Sequence, residues 1–82
     1  MTINEFLRQR FPYFDVVGNH AWCDAEDVHI EVHKLNDHAV IEVYSMTPES
    51  CVTTTCDSTL EDDIVAFLDN DIDYMIRELN CL

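Results

Sequence analysis

Glycine, proline and cationic side chains are what this chain has least of. Gly18 is the only glycine and there are two prolines. That is too few for a disordered or low-complexity chain, and a lone glycine cannot build a phosphate-cradling loop. Four lysines and arginines stand against 17 acids. So few cations cannot neutralise a row of phosphates, which argues against direct binding of nucleic acid or of an anionic membrane. No window approaches the roughly 18 consecutive apolar residues of a membrane span. Met1 to Phe6 lacks a basic region followed by an apolar run, so no signal peptide is expected. Cys23, Cys51, Cys56 and Cys81 include no tight Cys-x2-Cys pair, and a cytoplasmic chain keeps such thiols reduced.

What is present is a globular composition, 48% hydrophobic, over 82 residues. That length fits one compact domain, residues 1–82, with a small core. The formal net charge of -13 keeps such a chain soluble, strains it by self-repulsion and attracts basic surfaces.

Ser58 to Leu79 reads as one long amphipathic helix. Leu60, Ile64, Phe67, Leu68, Ile72, Met75 and Leu79 recur at three- and four-residue steps. Ser58 and Glu61 fit a capping box at its start. Asp62, Asp69 and Asp73 fall within about 40° of one another opposite the apolar stripe, at about 100° of rotation per residue. Glu61, Asp63, Asp71 and Glu78 add charge on the flanks, and Arg77 is placed to pair with Asp73.

Thr2-Ile3-Asn4-Glu5 is a second capping box, opening a short helix that Pro12 ends. Tyr13, Phe14, Val16, Val17 and Trp22 call for core positions, with a turn at Gly18-Asn19 between two short extended pieces. Val28 to His33 alternates apolar and polar, and Ala39, Ile41 and Val43 continue the pattern with Glu42 and Tyr44 on the other face. A two-residue turn at Asn36-Asp37 would oppose Glu31 and Glu42, two like charges. A loop over Lys34–Asp37 avoids this by setting His29 against Glu42 and Ile30 against Ile41, and is the preferred register. Thr47 to Ser50 is a turn and Cys51 to Cys56 a further strand. The fold class is α+β. It is a two-layer sandwich with an antiparallel sheet of three strands, or four, a short N-terminal helix and a long C-terminal helix.

Catalytic and metal chemistry find little footing. Asp69-Asn70-Asp71-Ile72-Asp73 resembles the opening of a calcium loop, but Tyr74 stands where glycine is needed and Asn80 where glutamate is needed. His29 and His33 share a strand face about 13 Å apart, too far to hold one metal ion. His33 and His38, which could meet across the preferred hairpin, offer two ligands where structural zinc takes four. Cys23 near His20 is the one local candidate for a nucleophile and base. The expectation is no catalytic residue, no metal and no cofactor, hence no enzyme.

The acidic surface is the remaining feature. Carboxylates about 6 Å apart at i,i+4 advance along a helix roughly as two base steps advance along a DNA strand. The candidate partner-binding residues are Glu61, Asp62, Asp63, Asp69, Asp71 and Asp73, with Glu26 and Asp27. In length, charge, αβββα order and these acidic runs the chain resembles the small acidic inhibitors of phages and mobile elements, among them anti-CRISPR proteins that mimic DNA. The resemblance implies an inhibitor acting in the host cytoplasm as a monomer or weak dimer. Its partner would be a basic nucleic-acid-binding protein, with a CRISPR effector complex favoured, and DNA access would be blocked. The alternatives are an immunity- or antitoxin-like neutraliser of a nuclease toxin and a small phage structural or assembly protein.

Overall fold

The computed structural model describes residues 1–25, 28–46 and 49–80. Helix α1 (Ile3–Arg10) is followed by strands β1 (Tyr13–Val17), β2 (His20–Ala25), β3 (Val28–Lys34), β4 (Ala39–Met46) and β5 (Glu49–Cys56), then helix α2 (Glu61–Asn80). The strands form one antiparallel sheet in sequence order, and neighbours pair throughout. This is the expected α+β two-layer arrangement, with five strands where three or four were expected. The two additional strands come from Pro12 to Ala25. Gly18 turns that segment back on itself at φ 58°, and Val17 faces His20 across a two-residue turn. An L side chain costs about 1–2 kcal/mol in that left-handed region.

A Cβ added at Gly18 meets nothing within 4 Å, so its substitution cost is confined to the backbone. Gly18→Ala should therefore lower stability by about 1 kcal/mol, and Gly18→Asn by less, since asparagine tolerates the left-handed region. In a domain of this size that is a fall in Tm of about 4–8 °C for alanine, read by circular dichroism. No difference between the two variants would count against the turn.

Strict alternation decides what is buried. Ala21 and Cys23 of β2, Val28, Ile30 and Val32 of β3, and Ala39, Ile41 and Val43 of β4 face inward with 8% exposure or less. They meet Ile3, Phe6 and Leu7 of α1 and Ile64, Val65, Leu68, Ile72, Met75 and Leu79 of α2. Helix α2 lies along β4 and β5, and α1 packs beside β1 and α2. Both helices therefore cover one face of the sheet and leave the other uncovered.

The same alternation corrects the aromatic assignments. Phe14 and Val16 pack against the core, while Tyr13 and Val17, at odd positions of edge strand β1, are 69% and 65% exposed. Trp22 lies on the uncovered face. Leu60 precedes the first turn of α2 and is 67% exposed, outside the stripe it was expected to join.

Local capping follows the sequence at one helix and departs from it at the other. The Thr2–Glu5 box forms in both directions. At α2 the Ser58 hydroxyl instead accepts the Leu60 N–H and donates to Asp63 Oδ2, 2.7 Å away. The Ser58–Glu61 box is not made, because Glu61 turns to the other helix and accepts the Ile3 N–H at 3.0 Å. That contact satisfies an orphan donor of α1 and sets a carboxylate at the positive end of its dipole.

Candidate functional site

The acidic residues of α2 divide by rotation about the helix. Asp62, Asp69 and Asp73 form an outer ridge with side chains 83%, 64% and 73% exposed. Asp71 and Glu78 sit on the flank facing β5, where with Val52, Thr53, Thr54, Phe67, Tyr74 and Met75 they line a shallow groove. Asp63 is exposed and Glu61 half-buried. Glu26 and Asp27, together with Thr47, Pro48 and Cys81, lie outside the described residues.

Chain folding brings a cation onto the ridge that sequence distance had set apart. Arg10, at the end of α1, reaches Asp69 at 3.2 Å and Asp73 at 3.6 Å while its guanidinium lies over the Phe6 ring. The expected Arg77–Asp73 pair gives way to Arg10, which the packing of α1 beside α2 holds in place. Asp62 accepts from the Met1 ammonium, which lowers its carboxyl below the ordinary value through that hydrogen bond and the charge behind it. The ridge is thus partly neutralised from within. Such exposed pairs contribute little to stability, because water and salt screen them.

Glu61 carries a different load from the ridge acids. Glu61→Ala leaves the Ile3 N–H without its half-buried acceptor and should cost about 1–2 kcal/mol, whereas Glu61→Gln keeps an acceptor and should cost less than half as much. Urea unfolding would measure both. Equal and negligible losses would return Glu61 to the solvent-facing set.

A second cluster occupies the uncovered face of the sheet, where three rows of side chains run across the strands. One row is Asp24, His29, Tyr44 and Cys51; the next is Asp15, Trp22, Glu31, Glu42 and Thr53; the third is Val17, His20, His33, Val40 and Thr55. The hairpin β3–β4 adopts the register that places Glu31 opposite Glu42, the one expected to be disfavoured. Leu35 N–H closes its loop onto the His38 carbonyl at 2.8 Å.

The opposed acids are tolerated because histidines surround them. His20 Nε2 lies 2.7 Å from Glu31 Oε1, and His33 Nε2 lies 3.2 Å from Glu42 Oε1 and 3.5 Å from Glu31 Oε1. His29 Nε2 is 3.4 Å from Glu31 Oε2, and its Nδ1 bonds Asp24. Burial raises the Glu31 carboxyl, but the His20 hydrogen bond and the charges of His29, His20 and His33 together outweigh it, and the net shift is downward. Tyr44 donates to Glu42 at 2.7 Å. That bond, with burial and nearby negative charge, pushes its phenol up to about 12.

The cluster is not legible in a reading that takes His20 to Ala25 only as a short extended piece with Trp22 in the core. The alternation His20, Trp22, Asp24 against Ala21, Cys23 was the available signal: a second polar strand face beside that of β3. Pairing His20 with Cys23 fails for the same reason. Three residues apart on a strand, they lie on opposite faces, and burial pushes the Cys23 thiol up to about 12 with Asp24 adding to it. His38 bonds Asp37 in its loop and His33 faces Val40, so those two histidines do not meet across the hairpin. Asp69 to Asp73 continue α2 without interruption, which is incompatible with a calcium loop. Among the described residues no helix is long and apolar enough to cross a membrane. Comparison with family models, with curated proteins and with solved structures gave no match, so the functional reading is built on this chain's own residues.

Proposed function

We propose that the protein is a non-catalytic acidic inhibitor that occupies the basic nucleic-acid-binding surface of a partner and keeps DNA from it. A CRISPR effector complex is the partner that the resemblance favours. The observation that carries the reading is the imbalance of charge on a rigid support. Against 17 acids the chain has four lysines and arginines, and among the described residues Arg10 is the one side chain of those four in a salt bridge.

The support is α2. Ile64, Leu68, Ile72, Met75 and Leu79 are buried to 4% exposure or less, which fixes the rotation of the helix and therefore the direction of Asp62, Asp69 and Asp73. The protein measures 32 × 25 × 20 Å. A duplex 32 Å long carries roughly 19 phosphate charges at one per 1.7 Å, so a net -13 gives a comparable though weaker polyanion. A preformed acidic surface steers association with a lysine- and arginine-lined channel and loses strength as salt screens it. Such an inhibitor acts in the host cytoplasm as a monomer or weak dimer.

The test is competition. A guide-loaded effector complex is mixed with labelled target duplex, and the protein is titrated in at 50 mM and 300 mM salt. Displacement of the duplex, weaker at the higher salt, is expected. Binding indifferent to salt, or full target cleavage in the presence of excess protein, would overturn the proposal. Suppression of a nuclease toxin with CRISPR interference intact would replace it with the neutraliser reading.

A further inference from the structure

We propose that His20, Glu31 and His33, with Glu42 at the edge, form a binding site for a divalent transition-metal ion of the zinc class on the uncovered face of the sheet. The cluster is separate from the acidic ridge of α2 and its use does not depend on the inhibitor reading.

The geometry begins with the register. His20 and His33 are direct cross-strand partners, and their rings stack with centroids 4.6 Å apart and planes 11° from parallel. Both rings direct Nε2 toward one carboxylate oxygen, Glu31 Oε1, at 2.7 and 3.5 Å. The three donor atoms lie within 4.8 Å of one another. A tetrahedral ion with bonds of about 2.1 Å requires donors about 3.4 Å apart. Only small side-chain rotations separate the observed arrangement from that one. Glu42, opposite Glu31, brings a fourth donor atom within 3.2 Å of His33 Nε2, and the Tyr44 hydroxyl that donates to Glu42 holds this carboxylate in place.

Donor chemistry selects the class of ion. Two imidazole nitrogens and one or two carboxylate oxygens suit Zn²⁺, Cu²⁺ or Ni²⁺; Ca²⁺ and Mg²⁺ prefer oxygen throughout. Two carboxylates and two neutral imidazoles balance a divalent charge. The ion would also relieve the opposition of Glu31 and Glu42. Access is open, since the His20 and His33 side chains are 44% and 37% exposed while Glu31 is 24% exposed. Bound there, the ion would clip β2 to β3, and through Glu42 to β4. With three protein ligands a fourth position stays open to water or to a donor from a partner.

The experiment is calorimetric titration of the full chain with ZnCl2, with Cys51→Ser and Cys81→Ser introduced to remove competing thiols. One equivalent should bind saturably. His20→Ala and His33→Ala should each weaken binding about 100-fold and Glu31→Gln about 10-fold. His38→Ala, whose ring bonds Asp37 in the β3–β4 loop, should stay within about threefold of the parent. Trp22, the only tryptophan, lies opposite Glu31, so CuCl2 should quench its fluorescence with the same order of variants. Should His33→Ala fail to fold by circular dichroism, His20→Gln makes the same test at the more exposed of the two histidines. No saturable binding up to about 100 µM Zn²⁺, an unchanged affinity in the His20 and His33 variants, or an equal loss in His38→Ala would each overturn the site.

Discussion

Ile64→Ala should lower the unfolding free energy by about 3–4 kcal/mol, a large fraction of the stability of so small a domain. Ile64 is 0% exposed and sits in the first turns of α2, inside the core cluster shared by both helices and the sheet. Removing its outer carbons loses their transfer energy and leaves a cavity that a small, rigid sandwich cannot collapse into. A chain of this length has about 4–12 kcal/mol in total at about 0.05–0.15 kcal/mol per residue, and a net charge of -13 pulls it toward the lower end. With a urea slope of about 1–2 kcal/mol per molar, the midpoint should fall by about 1.5–4 M. Ile64→Val should cost only about 1 kcal/mol. Added NaCl should recover part of the loss in the alanine variant by screening self-repulsion. A loss below 1 kcal/mol would mean that α2 is not held by this stripe, and the fixed direction of its acids would go with it.

Elements whose signal is local were readable from the chain. The Thr2 cap, the apolar stripe from Ile64 to Leu79, the alternation in Val28 to His33 and the turn at Gly18-Asn19 each depend on residues a few positions apart. Elements decided by partners distant in sequence were not readable. The Ser58–Glu61 cap was plausible until Glu61 had the Ile3 amide, 58 positions away, to satisfy. The hairpin register was judged on one pair, Glu31 against Glu42, as though nothing else stood near. His20 from β2, together with His33 and His29, supplies what that pair lacked. A like-charge penalty of a few tenths of a kcal/mol is small enough to be reversed by two or three hydrogen bonds. Tyr13, Val17 and Leu60 show the same limit: their side chains are apolar, but the pleat of an edge strand and the start of a helix leave them outside.

The candidate sites divide along the same line. That Asp62, Asp69 and Asp73 share one face follows from helical rotation alone, and the fold keeps it. Where the neutralising cation comes from does not follow, since Arg10 lies 59 positions from Asp69. The His–Glu cluster needs three strands in register before any of its distances exist. Asp71, one of the candidate partner-binding acids and set on the flank by helical rotation, lies nearly half a turn from the ridge and faces β5.

Because Arg10 belongs to the ridge, the informative variant neutralises the acids and does not reverse them. Lysines at 69 and 73 would repel Arg10 and disturb the α1–α2 contact, confusing folding with binding. Asp62→Asn, Asp69→Asn and Asp73→Asn together remove three exposed partners whose pairs contribute little to stability, and lower the self-repulsion of the whole chain, so the fold should hold. At about 4–6 Å from a partner cation and the dielectric of water, each lost charge is worth about 0.7–1 kcal/mol. Three amount to about 2–3 kcal/mol, or about 30- to 150-fold in affinity. Exposing Arg10 on the same surface adds to the loss. The salt dependence of competition with duplex DNA should flatten in parallel. A second triple variant, Asp15→Asn, Asp37→Asn and Asp57→Asn, removes the same number of exposed acids from elsewhere in the fold. If overall charge alone drives association, the two variants weaken equally and the ridge has no special role. A loss confined to the first assigns the contact to the outer face of α2, and a folded first variant with undiminished affinity removes that face from the interface.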